Sequence, residues 1–257
     1  MQQEVLFPTL WNIILYIGII IIDVKLWNKA KSRDSMIVRY LSLAIFFTIL
    51  QLTFIILNNL LEYIFEIIQF VPNPAGFQLR SMIQNGDLGS SMSIIGNIFF
   101  LQFYILVFQK EQVKFKLIIK IYTLITIILC VFFLFFLRIT DTTSIFYQPF
   151  GGLETEIKYL IIVIHSLIVQ VPMIGSSLKL WKKLQMQETK TPESNRLLFI
   201  AGMSFLLVTV FVLAILDALS AIGWGIYYYL TYAGVALAMI CGYSAFAKET
   251  KEGNSTT

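Results

Sequence analysis

Seven stretches of this chain run for about twenty residues or more with few charges: 5–26, 37–65, 90–108, 117–137, 159–180, 197–219 and 224–246. A helix rises about 1.5 Å per residue, so about twenty apolar residues cross a hydrocarbon core about 30 Å thick. Each run is continuous rather than alternating, which excludes the short two-faced strands of a membrane barrel. The predicted fold class is therefore an all-α integral membrane protein with seven transmembrane helices, in one domain covering residues 1–257. Composition agrees: 58% of residues are hydrophobic and 13% are charged, against nearer half and a quarter in soluble domains. The second run is longer than a bilayer requires, so that helix is expected to tilt or to project into water at its Glu62 and Glu66 end.

The positive charges orient the spans. With the N-terminus outside, the inner segments hold Lys25, Lys29, Lys31, Arg33 and Arg39, then Lys110, Lys114, Lys116 and Lys120, then Lys179, Lys182, Lys183, Lys190 and Arg196, and finally Lys248 and Lys251. Only Arg80, Arg138 and Lys158 fall outside. Loops rich in Lys and Arg stay on the cytoplasmic side, which predicts N-terminus outside, C-terminus inside, and a multi-pass protein of the cell membrane. The net charge of +4 then reflects topology and attraction to anionic headgroups, not nucleic-acid binding. The first run follows a short uncharged-to-acidic tail without a small-residue cleavage site, so it is expected to remain as an anchor. Cys130 and Cys241 both fall inside spans, so no extracellular disulfide is expected. The acceptor triplet Asn254-Ser255-Thr256 lies on the inner tail, where it is expected to go unused.

A weak internal echo accompanies this layout. "KLWNK" closes the first span at 25–29 and "KLWKK" closes the fifth at 179–183. Each leads through a basic loop to an Arg near the start of the next span, Arg39 in "IVRYLSLAIFF" and Arg196 in "ESNRLLFIAGMSF". The third span ends "FQKE" and the seventh "FAKE". Spans one to three and five to seven thus read as a parallel repeat joined by span four, the 3+1+3 arrangement known among small transporters. The competing explanation is that any span ends in Lys beside an interfacial aromatic for topological reasons alone.

Polar residues inside the spans carry the functional reading, because a polar side chain in lipid must find a partner or line a cavity. In the second span Thr48, Gln51, Asn58 and Glu62 fall at steps of three, seven and four, along one helix face. Ser93, Asn97 and Tyr104 form a similar stripe in the third, His165, Ser166 and Gln170 lie in the fifth, and Asp217 lies in the sixth. Counted from the outer ends, Asn97 and His165 sit about 10 Å deep at about 1.5 Å per residue, with Asn58, Glu62 and Asp217 nearer the interface and Asn12 comparable. These residues are expected to converge on a cavity open to the outside: Gln51, Asn58, Glu62, Asn97, Tyr104, His165, Gln170 and Asp217, rimmed by Tyr227, Tyr228 and Tyr229. Taken one at a time, each is also explained as a hydrogen bond between neighbouring helices, worth about 0.6 to 2 kcal/mol.

The single histidine leaves no multi-histidine metal site, and no catalytic signature is present: no Gly-x-Ser-x-Gly, no His-Glu-x-x-His, no Gly-rich phosphate loop. No enzyme activity, metal or cofactor is expected. His165 reads as a packed neutral imidazole, or as a pH-responsive partner of Asp217 or Glu62. The connection 66–89 is broken by Pro72 and Pro74, and "FQLRSMIQN" within it reads as a short amphipathic helix on the outer surface. "FYQPFGG" reads as a turn.

Families with seven spans in this orientation separate on their motifs. A retinal protein needs a Lys within span seven, and "WGIYYYLTYAGVALAMICGYSAF" has none. The inner end of span three reads "VFQKE" in place of the Asp-Arg-Tyr-like triplet of G-protein-coupled receptors, and span seven lacks Asn-Pro-x-x-Tyr. Sugar transporters of 3+1+3 type carry prolines in four spans, where this chain offers only Pro8 and Pro172. Through "NRLLFIAGMSF" at the start of span six and the Gly-rich, aromatic-ended span seven, the chain resembles the seven-helix N-terminal sensor regions of histidine kinases. That resemblance implies a membrane sensor or receptor recognising a small ligand or condition from the outer face. The inner tail 247–257 is too short for an effector domain, so the signal is expected to pass to a separate cytoplasmic or membrane partner. A small-solute transporter of 3+1+3 architecture and a structural or assembly protein of the membrane are the alternatives.

Overall fold

The computed structural model describes residues 2–68, 87–109, 112–136, 154–186, 192–219 and 225–247. These form seven long helices: α1 (Gln2–Ser32), α2 (Met36–Ile68), α3 (Asp87–Phe108), α4 (Gln112–Val131), α5 (Glu154–Met186), α6 (Pro192–Leu219) and α7 (Ile226–Ala247). The end of α4 widens into a π-helical turn over Phe132–Phe136. All seven helices are long and apolar enough to cross a membrane, so the protein is a multi-pass integral membrane protein. Helices are the solution lipid permits an open chain, because each residue's N–H and C=O pair within its own segment. The predicted surface helix at "FQLRSMIQN", the turn at "FYQPFGG" and the tail from 248 onward lie outside the described residues.

The first helical hairpin illustrates the local chemistry. α1 ends where Asp34 takes a left-handed φ of 47°, a conformation that Asp tolerates better than most residues. Ser35 N–H then donates to the Ala30 carbonyl at 3.1 Å, which satisfies a helix-end carbonyl in the manner of a Schellman motif. The Ser35 hydroxyl accepts from the Val38 N–H at 3.5 Å, capping the start of α2. Asp34 pairs with Arg39 at 2.5 Å on the exposed side of this turn.

Six helices close a ring. α1 packs on α2, α2 on α3, α3 on α5, α5 on α6, α6 on α7, and α7 returns to α1. α4 lies outside the ring against α3 and touches α5 through the stacked rings of Tyr122 and His165, 4.4 Å apart. Its other faces, with Leu117, Leu124 and Ile128, are exposed, as suits a helix surrounded by lipid. Close helix approach depends on missing side chains at two points. A Cβ at Gly96 of α3 would stand 3.3 Å from the Phe47 Cβ of α2, and one at Gly234 of α7 only 2.7 Å from a Val210 methyl of α6. Toward the end of the ring where α1 finishes, Leu26, Leu41, Ile45, Phe103, Met203 and Met239 are fully buried and pack as one apolar core.

Candidate functional site

Toward the other end of the ring, where α1, α3, α5 and α7 begin, the core opens into a cavity of about 220 Å³. α2 supplies Thr48, Gln51, Leu52 and Ile55 to its wall, and α3 supplies Ser90, Ser93, Gly96, Asn97 and Phe100. Each set repeats at steps of three and four, which turns one helix face inward. α5 adds Ile162 and Gln170, α6 adds Val210, Phe211, Ala214 and Asp217, and α7 adds Tyr228, Thr231, Tyr232 and Val235. Leu52, Phe100, Leu207 and Val235 add apolar surface to the wall.

The hydrogen bonds of the wall decide what it presents. Asn97 donates its amide to Ser166 Oγ at 2.8 Å and lies 3.3 Å from His165 Nδ1. Thr48 and Thr231 donate their hydroxyl protons to carbonyls one turn back, Ala44 at 3.2 Å and Tyr227 at 2.7 Å. The Tyr228 hydroxyl accepts from Asn12 at 2.5 Å and from Asn59 at 3.3 Å, so α1, α2 and α7 meet on one phenol. The Asp217 carboxylate accepts from the backbone N–H of Tyr228. Gln170 is 1% exposed, and its Oε1 meets no hydrogen-bond donor among the described residues.

Of the residues singled out in the sequence, Gln51, Asn97, Gln170 and Asp217 come together around this cavity. His165 does not line it. Its ring faces α4: Thr126 gives its proton to the Tyr122 carbonyl at 2.8 Å and therefore accepts from His165 Nε2 at 2.9 Å, which leaves Nδ1 to accept from Asn97 or Tyr122. That assignment makes His165 a neutral imidazole with both nitrogens occupied, a clamp between α4 and α5. Tyr104 sits nearer the apolar half, 3.3 Å from Ser176 Oγ and 2.9 Å from Gln109 Nε2. The side chains of Asn58 and Glu62 lie outside the described residues.

Two groups at the site escaped the sequence reading. Asn59 helps hold the Tyr228 clamp, and it is 1% exposed; Leu52, Ile56 and Asn59, at steps of four and three, carried the signal. Tyr122 and Thr126 stand one turn apart in the largely apolar α4, and both reach His165 of α5. Among the described residues no group of three or more His, Cys, Asp or Glu side chains is placed to hold a metal ion. Comparison with family models, with curated proteins and with solved structures finds no match to this chain.

Proposed function

We propose that this chain is a receptor-like membrane protein that binds a small solute in the cavity between α2, α3, α5, α6 and α7 and passes the signal to a separate partner. The observation that carries the reading is the one-sidedness of the interior: in one half of the ring a cavity with polar side chains set into a largely apolar wall, in the other a closed apolar core. A buried polar void holds water or a ligand, whereas apolar voids stay dry. The distribution of Lys and Arg turns the cavity half outward. The resemblance to histidine-kinase sensor regions agrees with a site in that half.

A transporter is the second reading, favoured by the order of the ring. Exchanging α1 with α5, α2 with α6 and α3 with α7 maps every neighbour of the ring onto another neighbour and leaves α4 aside. Buried positions agree with it: Val38, Leu41, Ser42, Ala44 and Ile45 of α2 recur at a constant offset as Leu197, Ile200, Ala201, Met203 and Ser204 of α6. Such a two-fold supports a 3+1+3 duplication, and a cavity between two related halves suits alternating access.

Cysteine probes test the shared premise, in a protein from which Cys130 and Cys241 have been removed. Probes at Gly86 and Ser144 should label from outside intact cells and one at Gln187 should not; the reverse pattern would invert the orientation. Cysteines at 51 and 97 should react with a small water-soluble thiol reagent, because hydrated thiols ionise, while cysteines at 41 and 203 stay protected. Protection at 51 and 97 as well would make the bundle dry and remove the binding site. Uptake of a solute into proteoliposomes, lost on substitution of Gln51 or Asn97, would decide for the transporter.

A further inference from the structure

We propose that the cavity takes a small organic cation, a primary ammonium carried on a flat apolar body; this rests on the cavity being a binding site. The wall is rich in acceptors. Thr48 and Thr231 spend their protons on their own helices, and Asn97 gives one amide proton to Ser166 with the other in reach of His165 Nδ1. What these three turn toward a ligand is lone pairs, and a hydroxyl or carboxamide oxygen keeps two. Gln170 adds a carbonyl oxygen that is buried without a donor. A buried acceptor left unmet costs about 1 to 3 kcal/mol, so a donor from the ligand is strongly favoured there.

Charge and shape narrow the class. Asp217 is an acid on the wall, and no Lys or Arg is among the described residues that line it. A carboxylate offers about four acceptor sites, and an ammonium brings three donors and the opposite charge. An anion would meet no counter-charge in this wall. Phe100, Phe211, Tyr228 and Tyr232 supply ring surface, against which a flat apolar body packs and a cation is attracted. The space of about 220 Å³ equals about seven waters at about 30 Å³ each, enough for one substituted ring and too large for a bare metal ion.

The test is calorimetric titration of the purified full chain in lipid nanodiscs with three near-isosteres: 2-phenylethylamine, 2-phenylethanol and phenylacetate. The amine should bind at least tenfold more tightly than the alcohol, with no heat from phenylacetate. Asp217→Asn should weaken the amine at least tenfold and leave the alcohol within a factor of two, and Gln170→Leu should weaken the amine by a smaller factor. Equal binding of alcohol and amine, preference for phenylacetate, or an amine affinity unchanged in Asp217→Asn would overturn the proposal, as would binding of none of the three. The comparison among ligands on the unsubstituted protein stands even if a variant fails to fold. A cysteine at 97 separates the two levels: reactive thiol with failed titrations leaves the cavity and removes the cation, and a protected thiol removes both.

Discussion

The two halves of the helical ring are built from the same apolar vocabulary and packed to opposite ends. In one, Leu26, Ile45, Phe103 and Met239 are fully buried against each other. In the other, helices α2, α3, α6 and α7 turn Gln51, Asn97, Asp217 and Thr231 toward a void. Lipid supplies no hydrophobic force between helices, so the first half relies mainly on close packing, with Ser42 donating to Asp23 between α2 and α1, while the second relies more on hydrogen bonds between helices. Close packing and open space are thereby separated along the helix axes rather than among helices.

Truncation in the packed half should break this contrast most severely. Phe103→Ala is expected to cost about 3 to 5 kcal/mol, the usual range for a buried Phe, while Phe100→Ala, whose ring already borders the void, should cost less than half as much. Unfolding of both variants in detergent measures the difference, and equal losses would mean that the cavity half is packed as tightly as the other. Added volume sharpens the same comparison. Gly234→Ala puts a methyl 2.7 Å from a branched Val210 methyl and should cost about 1 to 3 kcal/mol by overpacking. Gly242→Ala meets the Met203 sulfur at 2.8 Å, but a thioether can swing aside, so its thermal midpoint should fall less.

Hydrogen bonds give smaller effects. Tyr122→Phe removes the 2.9 Å bond to the His165 carbonyl and should cost about 1 kcal/mol, read as a lower thermal midpoint. A cysteine on the lipid-facing side of α4 should then label no differently, provided α4 stays docked through Phe133, Ile94 and Ile162. Smallest of all is Arg39→Ala at the exposed Asp34 pair. Exposed ion pairs contribute about 0 to 1 kcal/mol, so a larger loss there would show that the α1–α2 turn carries stability assigned above to the packed core.

The spans were readable because the bilayer asks only for length and apolarity, and both are local properties. The ring was not. Leu26 is fully buried and its neighbour Trp27 half exposed, yet both are apolar, and in lipid neither environment leaves a compositional mark. Polar residues betray their faces better, which is why Gln51, Asn97, Gln170 and Asp217 could be grouped before any coordinates. That signal fails at two kinds of place. In the Asn58-Asn59 pair, spacing alone picked out Asn58, while Asn59 is the residue seen to hold Tyr228. At His165, partners lie on α4, whose Tyr122 and Thr126 were absorbed into an apolar run.

Closure of the ring through α1 and α7 sets a timetable for biogenesis. Asn12 donates to a residue 216 positions later in the chain, and at about 5 to 20 residues per second the ribosome needs about ten to forty seconds to deliver that partner. During this interval the Asn12 amide must be hosted by headgroups, by the insertion machinery or by a chaperone, since lipid tails offer it nothing. The phenol of Tyr228 is thus a latch that α7 closes, and a chain stalled before α7 would leave an open arc of five helices, with α4 at its side and an exposed amide, a recognisable mark of incomplete assembly.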